Sequence, residues 1–144
     1  MWTKAEEDCQ TEGKIWGSVG HLASIESPCE QQFVFSLVNK AAVWLGATDT
    51  TTEGTFAWLS NNVQVWKDGP VAGVFSNFKS GQPNELNKET QDCLSLVATT
   101  GYWDEVICSK PLPHVCEIAA TKGAASLTKP PTPTAKPAGT HYRH

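Results

Sequence analysis

The chain has 144 residues, which predicts one domain with room for a tail. It holds 11 basic and 15 acidic residues and has a net charge of −4. This balance argues against a nucleic-acid-binding protein, which needs clustered basic residues. No stretch approaches the roughly 20 apolar residues of a membrane span.

The charge is divided unevenly along the chain. Seven basic residues and all 15 acidic residues fall within 1–118, which gives this part a net charge of −8. An acidic domain suits a cation ligand better than an anionic polymer. Residues 119–144 hold four basic residues and no acid, and their Thr, Pro and Lys content predicts a disordered tail or linker. We therefore expect a domain at 1–118 followed by a tail at 119–144.

The first part of the domain predicts two helices. Residues 3–12 favour a short helix, which we expect to stop at the glycine that follows. Ser27 and Glu30 have the spacing of a capping box, and Pro28 stands at the first helical position. A second helix is therefore predicted to begin there and to extend to about Lys40.

The remainder of the domain predicts short strands around a long irregular segment. The apolar runs 42–45 and 56–59 favour strands, and the glycine after the first run is expected to end it. Residues 60–91 show little periodicity, but their aromatic side chains argue for an ordered loop. Further strands are predicted at 93–97, 102–106 and 115–118. Two helices followed by small antiparallel strands predict the α+β class.

Oxygen-bearing side chains gather in two stretches late in the domain. One stretch runs from Gln82 to Asp92, and the other is Asp104-Glu105, directly after Trp103. Carboxylates and amide carbonyls suit Ca²⁺, which takes about six to eight oxygen ligands, whereas zinc prefers Cys and His. The alternative is that these are solvated loop carboxylates that hold no ion.

The cysteines and the other reactive side chains narrow the class of protein further. The five cysteines are Cys9, Cys29, Cys93, Cys108 and Cys116. None forms a CxxC pair, and two disulfides among four of them would have three alternative connectivities. Disulfides predict a secreted or extracellular setting. No Ser/His/Asp or Cys/His set suggests nucleophilic catalysis, so we expect a binding module and not an enzyme.

An ordered series of short motifs resembles the C-type lectin-like domain over about residues 2–118. The motifs are Trp2-x-x-Ala5-x-x-x-Cys9, Gly20-His21-Leu22-Ala23-Ser24-Ile25, Val43-Trp44-Leu45-Gly46-Ala47, Glu53-Gly54-Thr55-Phe56-Ala57-Trp58, Gln82-Pro83-Asn84, Asp92-Cys93, Trp103-Asp104-Glu105-x-x-Cys108 and Cys116-Glu117. Each motif alone is weak, but their order is specific. The resemblance implies the C-type lectin-like fold, with two helices, small antiparallel sheets and a long structured loop that carries calcium and sugar.

The resemblance also implies how the cysteines pair and which side chains bind. It implies the disulfides Cys9–Cys116 and Cys93–Cys108, and it leaves Cys29 as one route to a disulfide dimer. In this family, residues on both sides of a cis proline hold a Ca²⁺ to which two vicinal sugar hydroxyls bind. The implied calcium and sugar ligands are Gln82, Asn84, Gln91, Asp104 and Glu105, with Glu89 as the alternative to Gln91 for the ion. Glu85 and Asp92 fall where some members bind an accessory calcium.

Three departures from the family pattern bear on function. Gln82-Pro83-Asn84 is a hybrid of the mannose-type EPN and the galactose-type QPD motifs. Trp103-Asp104-Glu105 replaces the usual WND. The chain also begins at the first helix, where members usually have an opening strand, so either it is a fragment or another segment covers that sheet edge.

The sequence therefore predicts a calcium-dependent lectin that binds a mannose- or galactose-type terminal sugar on glycans or glycoproteins. The alternative is a calcium-independent C-type lectin-like domain that binds a protein receptor.

Overall fold

The computed structural model describes residues 1–84 and 91–120, and the backbone of 140–143. Two helices and eight strands lie in this part of the chain, and the strands form two antiparallel sheets. The elements are α1 (Trp2–Ile15), β1 (Gly20–Leu22), α2 (Pro28–Leu37), β2 (Val43–Thr48), β3 (Thr55–Trp58), β4 (Gln64–Lys67), β5 (Cys93–Leu96), β6 (Trp103–Val106), β7 (Cys116–Ala119) and β8 (Thr140–Arg143). The predicted α+β class is confirmed.

Helix α1 continues through the glycine that was expected to stop it. Gly13 lies against β1, where an added Cβ would stand 2.2 Å from the Gly20 backbone nitrogen. Its role is therefore to let a helix and a strand approach closely, and the prediction of a helix end was wrong. The helix is anchored at its other end, where the Trp2 indole N–H donates to the Leu45 carbonyl at 2.8 Å.

Helix α2 begins as predicted and ends early. The Ser27 hydroxyl accepts a hydrogen bond from the Glu30 backbone N–H at 3.2 Å, and Pro28 is the first helical residue. The helix ends at Leu37 because Val38 turns to an extended backbone with ψ of 127°. The predicted end at about Lys40 was too late. The spacing of apolar side chains indicates which residues can share a helix face, but it does not indicate where the backbone leaves the helix.

The larger sheet has the strand order β4-β3-β2-β5-β6. Gly46 lies inside β2 and not at its end. A glycine is needed at this position because an added Cβ would stand 2.4 Å from the Leu22 carbonyl oxygen. Strand β4 lies within the stretch 60–91 that was expected to lack regular structure. The larger sheet therefore has a longer β2 and one more strand than the sequence pattern indicated.

The smaller sheet has the strand order β1-β7-β8. Strand β8 pairs antiparallel with β7, with Thr140 opposite Ala119 and Arg143 opposite Cys116. The sequence predicts a disordered tail or linker over 119–144, whereas the structure has a strand at these four residues. Because an open strand edge carries unpaired backbone groups, a segment that covers it gains hydrogen bonds. Strand β8 therefore lies along the edge of β7 that faces away from β1.

Two buried clusters and two disulfides hold the domain together. The cluster between α2 and the larger sheet contains the aromatic side chains of Phe56, Trp58 and Trp103. The cluster beneath α1 contains Trp2 and Trp44. The disulfides are Cys9–Cys116, from α1 to β7, and Cys93–Cys108, from β5 to the segment after β6, the pairing that the resemblance implies. Neither described helix is long and apolar enough to cross a membrane.

Candidate functional site

The segment that leads to Gln82 is fixed to strand β6 by its backbone. The Trp103 N–H donates to the Asn77 carbonyl, and the Lys79 N–H donates to the Trp103 carbonyl, both at 2.8 Å. The Gln82 N–H then donates to the Lys79 carbonyl at 2.9 Å and closes a turn. The Trp103 ring also contacts the Phe78 ring edge to face, with the centroids 5.4 Å apart. These contacts bring the residues that follow Lys79 alongside β6.

Asn84 meets Glu105 at this point, two residues after Gln82. The peptide bond between Gln82 and Pro83 is cis. The Asn84 backbone N–H donates to the Oε1 of Glu105 at 2.9 Å, and the Glu105 residue is only 7% exposed. Among the described residues, the Oε1 of Gln82 is buried and accepts no hydrogen bond. The segment therefore holds a buried carbonyl oxygen without a described donor, two residues before the one whose backbone contacts a buried carboxylate, and oxygens of this kind suit a hard cation.

The other predicted ligands are not joined to this group by the described contacts. Asp104 directly precedes Glu105 in β6 and is half-buried. The Asp104 backbone carbonyl accepts a hydrogen bond from the Ser95 hydroxyl at 3.2 Å. Gln91 is half-buried. Glu85 and Glu89 lie outside the described residues.

A second acidic group lies where β2 ends, and the sequence did not single out its central residue. Asp49 is 5% exposed, and its backbone N–H donates to the Asp92 carbonyl at 3.2 Å. Its Oδ2 accepts a hydrogen bond from the Gly54 N–H at 3.1 Å, whereas its Oδ1 is buried and accepts none from the described residues. Asp49 therefore stands beside the residue at which an accessory calcium was predicted.

The electrostatics of Asp49 reflect this position. The pKa of its carboxyl is raised to about 6, chiefly by burial and also by the neighbouring carboxylates of Glu53 and Asp92, while the hydrogen bond from the Gly54 N–H opposes the shift. A cation near the free Oδ1 would relieve both the burial cost and the repulsion. The sequence feature that could have identified Asp49 is a carboxylate directly after an apolar strand. A charged residue at such a position is rarely buried without a partner.

Comparison with known proteins places the chain in a family. Residues 1–118 match the family model described as the lectin C-type domain. The chain is 33% identical over 125 residues to the mouse low affinity immunoglobulin epsilon Fc receptor, an alignment that covers 82% of this chain and 34% of that receptor. The chain belongs to the C-type lectin domain family. It spans about a third of the length of this curated relative.

Solved structures agree with this assignment. The carbohydrate-recognition domain of cow CD23, in the presence of a GlcNAc2Man3 oligosaccharide, is 27% identical with a TM-score of 0.63, covering 80% of this chain and 76% of that one. A calcium-independent type II antifreeze protein is 26% identical with a TM-score of 0.62, covering 80% of this chain and 75% of that one. C-type lectin domains are binding modules and not enzymes, and this disulfide-bonded domain is of the extracellular type.

Proposed function

We propose that this domain binds the vicinal hydroxyls of a terminal sugar through a Ca²⁺ held at Gln82, Asn84 and Glu105. The observation that carries the proposal is the buried Oε1 of Gln82, which has no donor among the described residues. An ion would satisfy this oxygen, and it would offer open coordination positions to two neighbouring hydroxyls. The other ligands proposed for the ion and the sugar are Asp104 and Gln91, with Glu89 as the alternative to Gln91 for the ion.

An accessory ion is proposed at the second acidic group. Asp92 and Glu85 were assigned to it by position, and Asp49 joins them because its Oδ1 is buried without a donor among the described residues. A cation here would hold the end of β2 to the segment before β5, since Asp49 and Asp92 are already joined through their backbones. Its role is to order the sugar-binding loop and not to contact the sugar.

The expected ligands are glycans or glycoproteins outside the cell, and the domain is proposed to be secreted or displayed there. Affinity for one monosaccharide should be on the order of millimolar, because a single exposed site makes few contacts. Useful binding then needs several sites in one assembly. A disulfide through Cys29, which is exposed and unpaired on α2, is one proposed route to such an assembly.

A calorimetric Ca²⁺ titration of the oxidised domain, followed by a glycan array with and without chelator, tests this function. The variant Asn84→Ala should lose binding to sugar resin, whereas Asn39→Ala, an exposed amide before β2, should keep it. Calcium should also dissociate near about pH 5, because protons compete for carboxylate oxygens. Full retention of sugar binding by Asn84→Ala would place the sugar site elsewhere.

One observation favours a second function, a calcium-independent domain that binds a protein receptor. The Glu105 carboxylate already accepts the Asn84 N–H, so the loop has a protein anchor that does not depend on an ion. Under this alternative, calcium at millimolar concentration gives no heat and leaves the melting temperature unchanged. Receptor binding would then persist in chelator, which separates the two functions.

A further inference from the structure

A cavity lies against the smaller sheet, away from the residues of the proposed calcium sites. Its volume is about 290 Å³, and it is lined by Val19, His21, Ser60, Asn61, Glu117 and Ala119. None of these residues belongs to the proposed calcium or sugar ligands. Four of the six lining residues have polar or titratable side chains, which can form hydrogen bonds with a ligand.

His21 is held in the cavity wall by a buried carboxylate. Its Nδ1 lies 2.6 Å from the Oε1 of Glu6, a residue that is 8% exposed. The same carboxylate accepts hydrogen bonds from the Leu22 N–H at 2.8 Å and from the Gln10 side chain at 2.9 Å. An ionised carboxylate only accepts, so the Nδ1 of His21 carries the proton and donates. In the tautomer with the proton on Nδ1, the Nε2 of His21 is a hydrogen-bond acceptor.

Glu117 supplies a second acceptor next to it. His21 and Glu117 are directly opposite in the β1–β7 pair, so their side chains are neighbours on one face. The Oε2 of Glu117 accepts both Ser24 donors, the N–H at 3.0 Å and the hydroxyl at 2.6 Å. Its Oε1 accepts no hydrogen bond from any described residue. The cavity therefore presents two acceptors side by side.

Three carboxylates lie around the cavity in the part of the chain that the structure describes. Glu117 lies in the wall, Glu6 lies behind His21, and Glu26 is hydrogen-bonded to the Asn61 side chain on the opposite rim. No Lys or Arg is among the lining residues. Closely placed acceptors under a negative potential select a ligand that donates hydrogen bonds and carries positive charge.

We propose that this cavity binds a small organic cation, an ammonium or guanidinium group. The cation donates to the Oε1 of Glu117 and to the Nε2 of His21, and its aliphatic part packs against Val19 and Ala119. The source is either a free amine or the side chain of a Lys or Arg on another protein. Both sources present the same ammonium or guanidinium group to the cavity.

The proposal is tested by NMR titration of the whole chain, with chelator present so that the calcium sites do not contribute. The probes are butylammonium, a blocked lysine peptide, a blocked arginine peptide and the neutral isostere of the lysine peptide, blocked norleucine. The cationic probes should shift the amide signals of His21 and Glu117, and norleucine should not. Tighter binding of the peptides than of butylammonium identifies a protein side chain as the source, and the reverse identifies a free amine.

Two variants and a control make the result decisive. Glu117→Gln keeps an acceptor for Ser24 and removes the charge, so it should weaken cation binding about tenfold or more. Ala119→Leu should fill the cavity and weaken binding without altering a polar group. Glu7→Gln, the same charge change on the exposed face of α1, should leave binding unchanged. Equal affinity in all three variants, equal binding of norleucine, or binding of Zn²⁺ in place of the cations would overturn the proposal.

Discussion

The backbone N–H of Asn84 donates a hydrogen bond to the Oε1 of Glu105 across 2.9 Å, which joins the loop after the cis proline to strand β6. The usual family residue at position 105 is an aspartate, which is one methylene shorter. The longer side chain of Glu105 thus contributes both a charge and an anchor for the loop. The two contributions can be separated by substitution.

Glu105→Gln should keep the loop in place and weaken calcium binding. The amide oxygen of Gln still accepts the Asn84 N–H, but the ion loses a full negative charge. Glu105→Ala should lose both the anchor and the charge. Hydrogen exchange at the Asn84 amide in chelator, together with calcium calorimetry, measures the two effects. If Glu105→Gln binds calcium as tightly as the unmodified chain, the ion is not held by this carboxylate.

Gln82→Ala should have opposite consequences with and without calcium. In chelator, the substitution removes a buried oxygen that has no described donor, so the melting temperature should be unchanged or higher. In calcium, it removes a ligand, so the rise in melting temperature caused by the ion should shrink. Thermal unfolding in the two buffers tests this contrast. A large loss of stability in chelator would mean that Gln82 has an important structural partner.

Asp49 should make the calcium-free domain less stable as the pH rises through about 6. Its pKa is raised from 3.8 to about 6 by burial, so the folded state binds more protons than the unfolded state between these values. Stability from this group is therefore present at low pH and is lost as the pH rises through the folded pKa. Asp49→Asn should raise the melting temperature at about pH 7.5 in chelator and lessen the stabilisation by calcium.

The pH series itself supplies the check on Asp49. The gain from Asp49→Asn should fade as the pH falls below 3.8, where the carboxyl becomes protonated in both the folded and the unfolded state. The matched control is Asp68→Asn, an exposed carboxylate next to β4, which should give no gain at either pH. A gain from Asp49→Asn that does not depend on pH would show that charge is not its cause.

Trp103→Phe should destabilise the domain by about 2 kcal/mol, since it loses buried area and leaves a partner without its donor. The indole N–H of Trp103 donates to the Gln31 side chain at 2.8 Å, and its ring contacts Trp58 with centroids 5.4 Å apart. Tyr102→Phe, on the 47% exposed neighbour, should change stability by less than about 0.5 kcal/mol. Urea unfolding measures both. If the two variants have the same free energy of unfolding, then the buried contacts of Trp103 do not stabilise β6.

Two glycines, Gly13 and Gly46, show a limit of predicting where helices and strands end from the sequence alone. Gly13 follows the first predicted helix and Gly46 follows an apolar run, and a glycine in such a position usually ends the element. Both instead lie inside elements, against Gly20 and the Leu22 carbonyl. A glycine that ends a helix and one that permits a close approach have the same letter, and only the neighbouring element distinguishes them.

The sequence by itself determined the family, the α+β class and the oxygen-rich stretches, because these depend on the order and spacing of residue types along the chain. Only the tertiary structure brought Asp49 beside Asp92, gave β7 the distant strand β8, and set His21 opposite Glu117. These relationships join residues that are far apart in the chain. Burial and strand register, which set their charges and partners, exist only after the chain has folded.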